Sequence, residues 1–206
     1  MGHWSFKILL FFFVNIVAMG VLPAQRISNY EVAVLSSEIN ILGETNVNKF
    51  GCELFISTIT DSLKVKSEHS VLSIAFDSLI LIYHVQGFDC GLSAMTEDFR
   101  SILKANDYPH LLLQINQINI NPDSKGFERV GVTADVTVTI AGQSRDLLIF
   151  DSYVINETDQ DLTLHGTETV RMTDFNIDPP IRFWGALRVY DQLTIIFNIQ
   201  MHVATK

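Results

Sequence analysis

The chain has 206 residues, 48% of them apolar and 18% charged, with 14 Lys and Arg against 23 Asp and Glu and a formal charge of −9. That acidic balance argues against a nucleic-acid partner and offers no attraction to anionic lipid head groups. No internal repeat, Gly/Ser linker or long charge run marks a second domain, so one domain with a substantial core is expected.

In chain order, residues 1–24 read as an export signal. Lys7 is its only charge, and Ile8 to Val14 is an unbroken apolar run that continues past Asn15 to Ala18. A membrane span needs roughly twenty apolar residues, and Asn15, Gly20 and Pro23 interrupt this one. Small residues at Ala18 and Gly20 suit cleavage after Gly20, with cuts near Ala24 or Gln25 as alternatives and an uncleaved anchor as the weaker reading. Residues 25–206 are then a single exported domain, periplasmic or secreted, with no stable membrane span in the mature form. Two cysteines in such a compartment are expected to form one disulfide, Cys52–Cys90. Their separation of 38 residues matches neither a redox C-x-x-C pair nor a zinc knuckle. Closing that loop is worth up to about 4 kcal/mol in the chain-entropy picture.

Strands are expected near 29–36, 38–43, 51–60, 71–84, 111–120, 145–154 and 161–172, separated by turn signals such as Ala141-Gly142-Gln143 and Asp178-Pro179-Pro180. Two further runs alternate most cleanly. Val130, Val132, Ala134, Val136, Val138 and Ile140 take the even positions of one, and Leu193, Ile195, Phe197, Ile199, Met201 and Val203 the odd positions of the other, with Ile196 the exception. Each run is about eleven residues, or roughly 35 Å of strand, a length characteristic of barrels and large sandwiches. The fold class is therefore all-β. Between them, Met95 to Asn106 reads as one short amphipathic helix, with Thr96 as its cap and Met95, Phe99, Ile102 and Leu103 on one face. Under three turns long, it must cover an end or flank of the sheet.

Ile41-Leu-Gly-Glu-Thr-Asn-Val-Asn-Lys-Phe50, Phe88-Asp-Cys-Gly91, Met95-Thr-Glu-Asp98 with Leu103-Lys-Ala105 and Tyr108-Pro109, and Met172-Thr-Asp-Phe-Asn-Ile-Asp-Pro-Pro180 with Phe183 to Gly185 form an ordered series. In that order they resemble the YceI-like family, in the cysteine-containing branch found in Bacteroidetes-type bacteria, from about Tyr30 to Val203. Asn176 stands where many relatives carry glycine. The resemblance implies an eight-stranded antiparallel, lipocalin-like β-barrel in the periplasm or secreted. Its apolar lumen would take an isoprenoid quinone or another polyisoprenoid. On that reading the partner is an apolar lipid, with no cofactor and no metal, and the lumen is lined by Val132, Ala134, Val136, Val138 and Ile140 with Leu193, Ile195, Phe197, Ile199 and Met201. The competing structural reading is that these faces pack a solid core, in a cell-envelope scaffolding module whose loops contact a protein. Alternation alone also admits a small outer-membrane barrel, because it does not say which face is inward.

Catalytic signals are weak. Ser101-Ile-Leu-Lys104 fits S-x-x-K without the companion motifs, and the histidines lack metal-ligand spacing. A pairing of His165 with Asp161 or Glu168 is the sort any antiparallel sheet offers by accident, and no catalytic residue is assigned. Asn46 and Asn48 are expected to satisfy loop backbone groups rather than a ligand.

Overall fold

The computed structural model describes residues 26–56, 63–69, 73–121, 129–158 and 160–205. The proposed signal lies outside these residues. The strands are β1 (Arg26–Thr45), β2 (Lys49–Ile56), β3 (Leu63–His69), β4 (Ser73–His84), β5 (His110–Ile120), β6 (Arg129–Ile140), β7 (Gln143–Asn156), β8 (Asp161–Arg171), β9 (Ile181–Arg182) and β10 (Leu187–Thr205). One helix, α1 (Ser93–Ile102), falls between β4 and β5.

Hydrogen bonding runs β1–β3–β4–β5–β6–β7–β8–β10 and returns from β10 to β1, so the wall closes on itself, antiparallel throughout. On its other edge β1 pairs first with β3, from Arg26↔His69 to Val32↔Leu63, and then with β2, from Ser37↔Ile56 to Glu44↔Lys49. β2 and β3 are thus successive stretches of one wall position. The result is the eight-stranded barrel expected, with β9 a short addition to β10. Apolar side chains point in and polar ones out: the even residues of β6 from Val132 to Ile140 are all buried, whereas Thr133, Asp135, Thr137 and Thr139 face outward. A lipid-facing wall would carry the reverse pattern.

A belt of irregular pairing girdles the barrel at mid-height. The register slips at Leu35 in β1, between Ala75 and Leu79 in β4, at Asn116 in β5 and at Phe150–Asp151 in β7. Because the side-chain period of a strand is two, an extra residue moves the following side chains to the opposite face. Hence β1 turns Val32 and Val34 inward above the belt but Ser37, Ile39 and Ile41 below it. β5 likewise buries Leu111, Leu113 and Ile115 below and Ile118 above. β6 and β10 keep one phase from end to end, which is why their alternation is so plain in the sequence.

The region 29–43, expected as two strands, is one, since the bulge at Leu35 bends β1 without ending it. β3 was not expected; Lys64, Lys66 and Glu68 leave it little apolar pattern. The helix starts earlier than expected, with Leu92 in the cap position. Thr96 lies inside the first turn, where its hydroxyl accepts from the Cys90 backbone N–H at 3.0 Å. Helix α1 closes the lower end of the barrel, with Met95, Phe99 and Ile102 packed on the core and Phe99 against the buried Phe88, ring centroids 5.3 Å apart. Asn176 adopts φ 55°, ending the turn Met172–Phe175 in the left-handed conformation that asparagine tolerates best after glycine.

Candidate functional site

The upper half of the barrel, where β1 begins and β10 ends, holds a cavity of about 230 Å³. Val32, Phe76, Ile118, Val132, Leu162 and Met201 are among its walls, and among the described residues Asn156 is the one polar side chain lining it. A water molecule needs two to four polar partners to settle in a cavity, and these walls do not supply them. The space is suited to hydrocarbon. Among the described residues its walls offer no nucleophile, acid or base, so what they can do chemically is bury apolar surface.

Below it, the belt is packed solid. Val34, Leu79, Ile115, Ala134, Leu164 and Ile199 are all 0–1% exposed. Tyr83 is also fully buried, and its hydroxyl shares a 2.8 Å hydrogen bond with Ser37, itself buried. Burial pushes the Tyr83 phenol up to about 12, against a small opposing pull from the Ser37 hydrogen bond. At Phe197 the ring lies over Gly166, its cross-strand partner, and any Cβ on that glycine would collide with it.

In the lower half the voids lined by described residues are small, of about 40 and 30 Å³. One ionisable group borders the larger of them: Glu168 of β8, beside Ile39, Val138, Leu147, Val170 and Phe197. Burial raises its carboxyl above the usual range, partly offset by the Thr169 backbone N–H.

The ten residues expected along the lumen divide among these regions. Val132 and Met201 border the upper cavity. Ala134, Val136 and Ile199 are buried in the belt. Val138, Phe197 and Ile195 surround the 40 Å³ void, and Ile140, Leu193 and again Ile195 the 30 Å³ void. Sequence reasoning did not single out Ile74, Phe76, Ile118, Ile120, Val154 and Leu162 for the cavity wall. The only signal for Ile118 and Ile120 was a phase change after Ile115, which reads as noise until a bulge is known.

Cys52 and Cys90 are bonded, joining β2 to the segment after β4, and Glu53 and Asp89 pair beside them through two backbone hydrogen bonds of 2.8 and 2.9 Å. The staple closes the flank on which β2 has no partner strand but this segment.

Apart from Glu168, the polar groups weighed as catalytic lie elsewhere. His202 Nδ1 is 2.7 Å from the Asp161 carboxylate, His165 hydrogen-bonds Asn198 and stacks on Tyr153, and Ser101 and Lys104 are exposed. Asn46 bonds the backbone of Ala186 and Arg188, and the Asn48 side chain accepts from Thr45. Among the described residues, no three His, Cys, Asp or Glu side chains are grouped to hold a metal ion, and no helix is long and apolar enough to cross a membrane.

No family model and no curated protein matches the sequence. Solved structures do. A polyisoprenoid binding domain from Saccharophagus degradans implicated in plant cell wall breakdown aligns with a TM-score of 0.58 at 10% identity, over 86% of this chain and 99% of that one. BcnA from Burkholderia cenocepacia gives 0.47 at 17% identity, over 82% and 96%. A YceI protein from Campylobacter jejuni gives 0.41 at 15%, over 73% and 90%. The first of these shares the fold of this chain, which is the barrel that the motif resemblance implied.

Proposed function

We propose that this chain is a YceI-like protein of the cell envelope that binds the end of a long apolar lipid, a polyisoprenoid or isoprenoid quinone, in the upper half of its barrel, without catalysing a reaction on it. The observation that carries the proposal is the 230 Å³ cavity with hydrocarbon walls. Empty apolar space of that size costs stability, and its walls regain contacts when filled. The shared fold with a domain described as polyisoprenoid binding supports the ligand class. The disulfide fits an oxidising compartment, periplasmic or extracellular, reached through the signal at 1–24.

Volume sets the scale of the bound portion. A cavity of about 150 Å³ takes a benzene ring, so 230 Å³ accommodates about nine carbons, close to two isoprene units. At about 0.8 kcal/mol per methylene, such a segment offers roughly 7 kcal/mol before the cost of immobilising it. The remainder of a polyprenyl chain extends out of the upper mouth while the belt stays closed. Native mass spectrometry of the exported protein from its own cells, followed by lipid extraction, tests this directly. A prenyl lipid released in stoichiometric amount is the expected result. Protein that carries none, and that fails to take up geraniol or farnesol, would overturn the proposal.

A further inference from the structure

The pairing of β7 with β8 runs from Asn156↔Leu162 down to Asp151↔Thr167 and stops there. Below that point Gln143–Phe150 and Glu168–Arg171 are not paired with each other, although each strand keeps its other neighbour. The pairing ends at a bulge: Phe150 and Asp151 both oppose Thr133, and Ser152 Oγ, 2.8 and 3.1 Å from the carbonyls of Val132 and Ile149, holds it. No disulfide closes this seam, in contrast to the opposite flank. On its inner side lies the 40 Å³ void with the Glu168 carboxylate on its wall, and on the outer face of the same stretch of β7 stand Leu148 and Phe150, 51% and 72% exposed.

We infer that the β7–β8 seam is a second ligand site, for an amphiphile whose head donates hydrogen bonds, an amine or a hydroxyl: the head enters the seam and bonds Glu168, and the tail lies outside across Leu148 and Phe150. The volume admits a head and its first carbon, not a chain. An acid on an otherwise apolar wall attracts a donor and repels a carboxylate, since a second anion beside it would be desolvated without a partner. Two large apolar side chains two residues apart on one face give the tail a place to leave water. This site is independent of the upper cavity and would stand if that cavity proved empty.

Three probes with one tail test it: dodecylamine, dodecanol and dodecanoate, titrated calorimetrically into the mature protein below their micelle concentrations. Dodecylamine is expected to bind about tenfold tighter than dodecanoate, as one charge-assisted hydrogen bond provides, with dodecanol between them. Glu168→Gln, close in shape, should bring amine and carboxylate within about twofold of each other. Phe150→Ser should weaken amine and alcohol together, leaving their ratio unchanged. Val154→Trp, which fills the upper cavity, should leave the amine preference intact. An amine preference that survives Glu168→Gln, or no binding of dodecylamine at all, would overturn the inference. Loss of all binding in Val154→Trp would place every probe in the upper cavity, refuting the seam site while upholding the lipid reading.

Discussion

Apart from β3 above and β2 below, the upper and lower halves of the barrel are built from the same wall strands, yet among the described residues one encloses a cavity of about 230 Å³ and the other voids of about 40 and 30 Å³. The lower half has a lid: α1, Leu103, Met172, Phe175 and Ile177 fill it from below, and Cys52–Cys90 ties its open flank. The upper half lacks such a cover among the described residues. The belt of bulges between them lets each half choose its own inward residues, so a ligand space and a folding core share one continuous sheet. Stability and binding are therefore separable here by height along the strands.

Substitutions at different heights should separate them in practice. Ile199→Ala, in the belt, should have the largest effect, about 2–5 kcal/mol of stability by denaturant unfolding. The space it opens adjoins the upper cavity, so longer prenyl chains should gain affinity in this variant. Removing the staple by Cys52→Ser with Cys90→Ser should cost up to about 4 kcal/mol. At temperatures where that variant is folded, geraniol affinity should be unchanged, because the disulfide supports the other half. Tyr83→Phe leaves the buried Ser37 hydroxyl without its partner and should cost about 1–3 kcal/mol. Adding Ser37→Ala should recover part of that loss, and a double-mutant cycle measures the difference.

The smallest effect is expected outside the barrel, at Asp161. Hydrogen bonds from His202 and then Thr158 hold its carboxyl below the usual range. A depressed folded pKa contributes stability above the ordinary carboxylate value, and that contribution disappears as pH falls through the folded value. Asp161→Asn should therefore flatten the acid limb of the stability profile slightly and leave ligand binding untouched.

Much of this was legible in the residues, but unevenly. β6 and β10 declared themselves because neither strand changes phase, so Val132 to Ile140 alternate without interruption and Leu193 to Met201 with Ile196 as the one exception. The resemblance carried by the ordered motifs around Gly43, Phe88, Met95 and Met172 implied the strand count, and the apolar face of Met95, Phe99 and Ile102 marked the helix. The two-storey interior was not legible. Where β1, β4, β5 and β7 slip register, the apolar positions jump from odd to even, and a period-two reading treats the jump as a flaw. For the same reason Phe76, Ile118 and Val154 could not be assigned to a cavity, and Glu168 was weighed only as a chance partner of His165, not as an acid on an inner wall. Thr96 has the chemistry of a helix cap, but the chain uses its hydroxyl to hold the Cys90 backbone instead, a choice set by tertiary packing.

Affinity as a function of chain length is the most direct measure of ligand binding in the upper half. Titration of prenol, geraniol and farnesol into the mature protein should show a strong gain in affinity from about five to ten carbons and little beyond, following the volume above the belt. Val154→Trp should abolish binding of all three. No saturable binding at any length, or binding that Val154→Trp leaves unchanged, would contradict it.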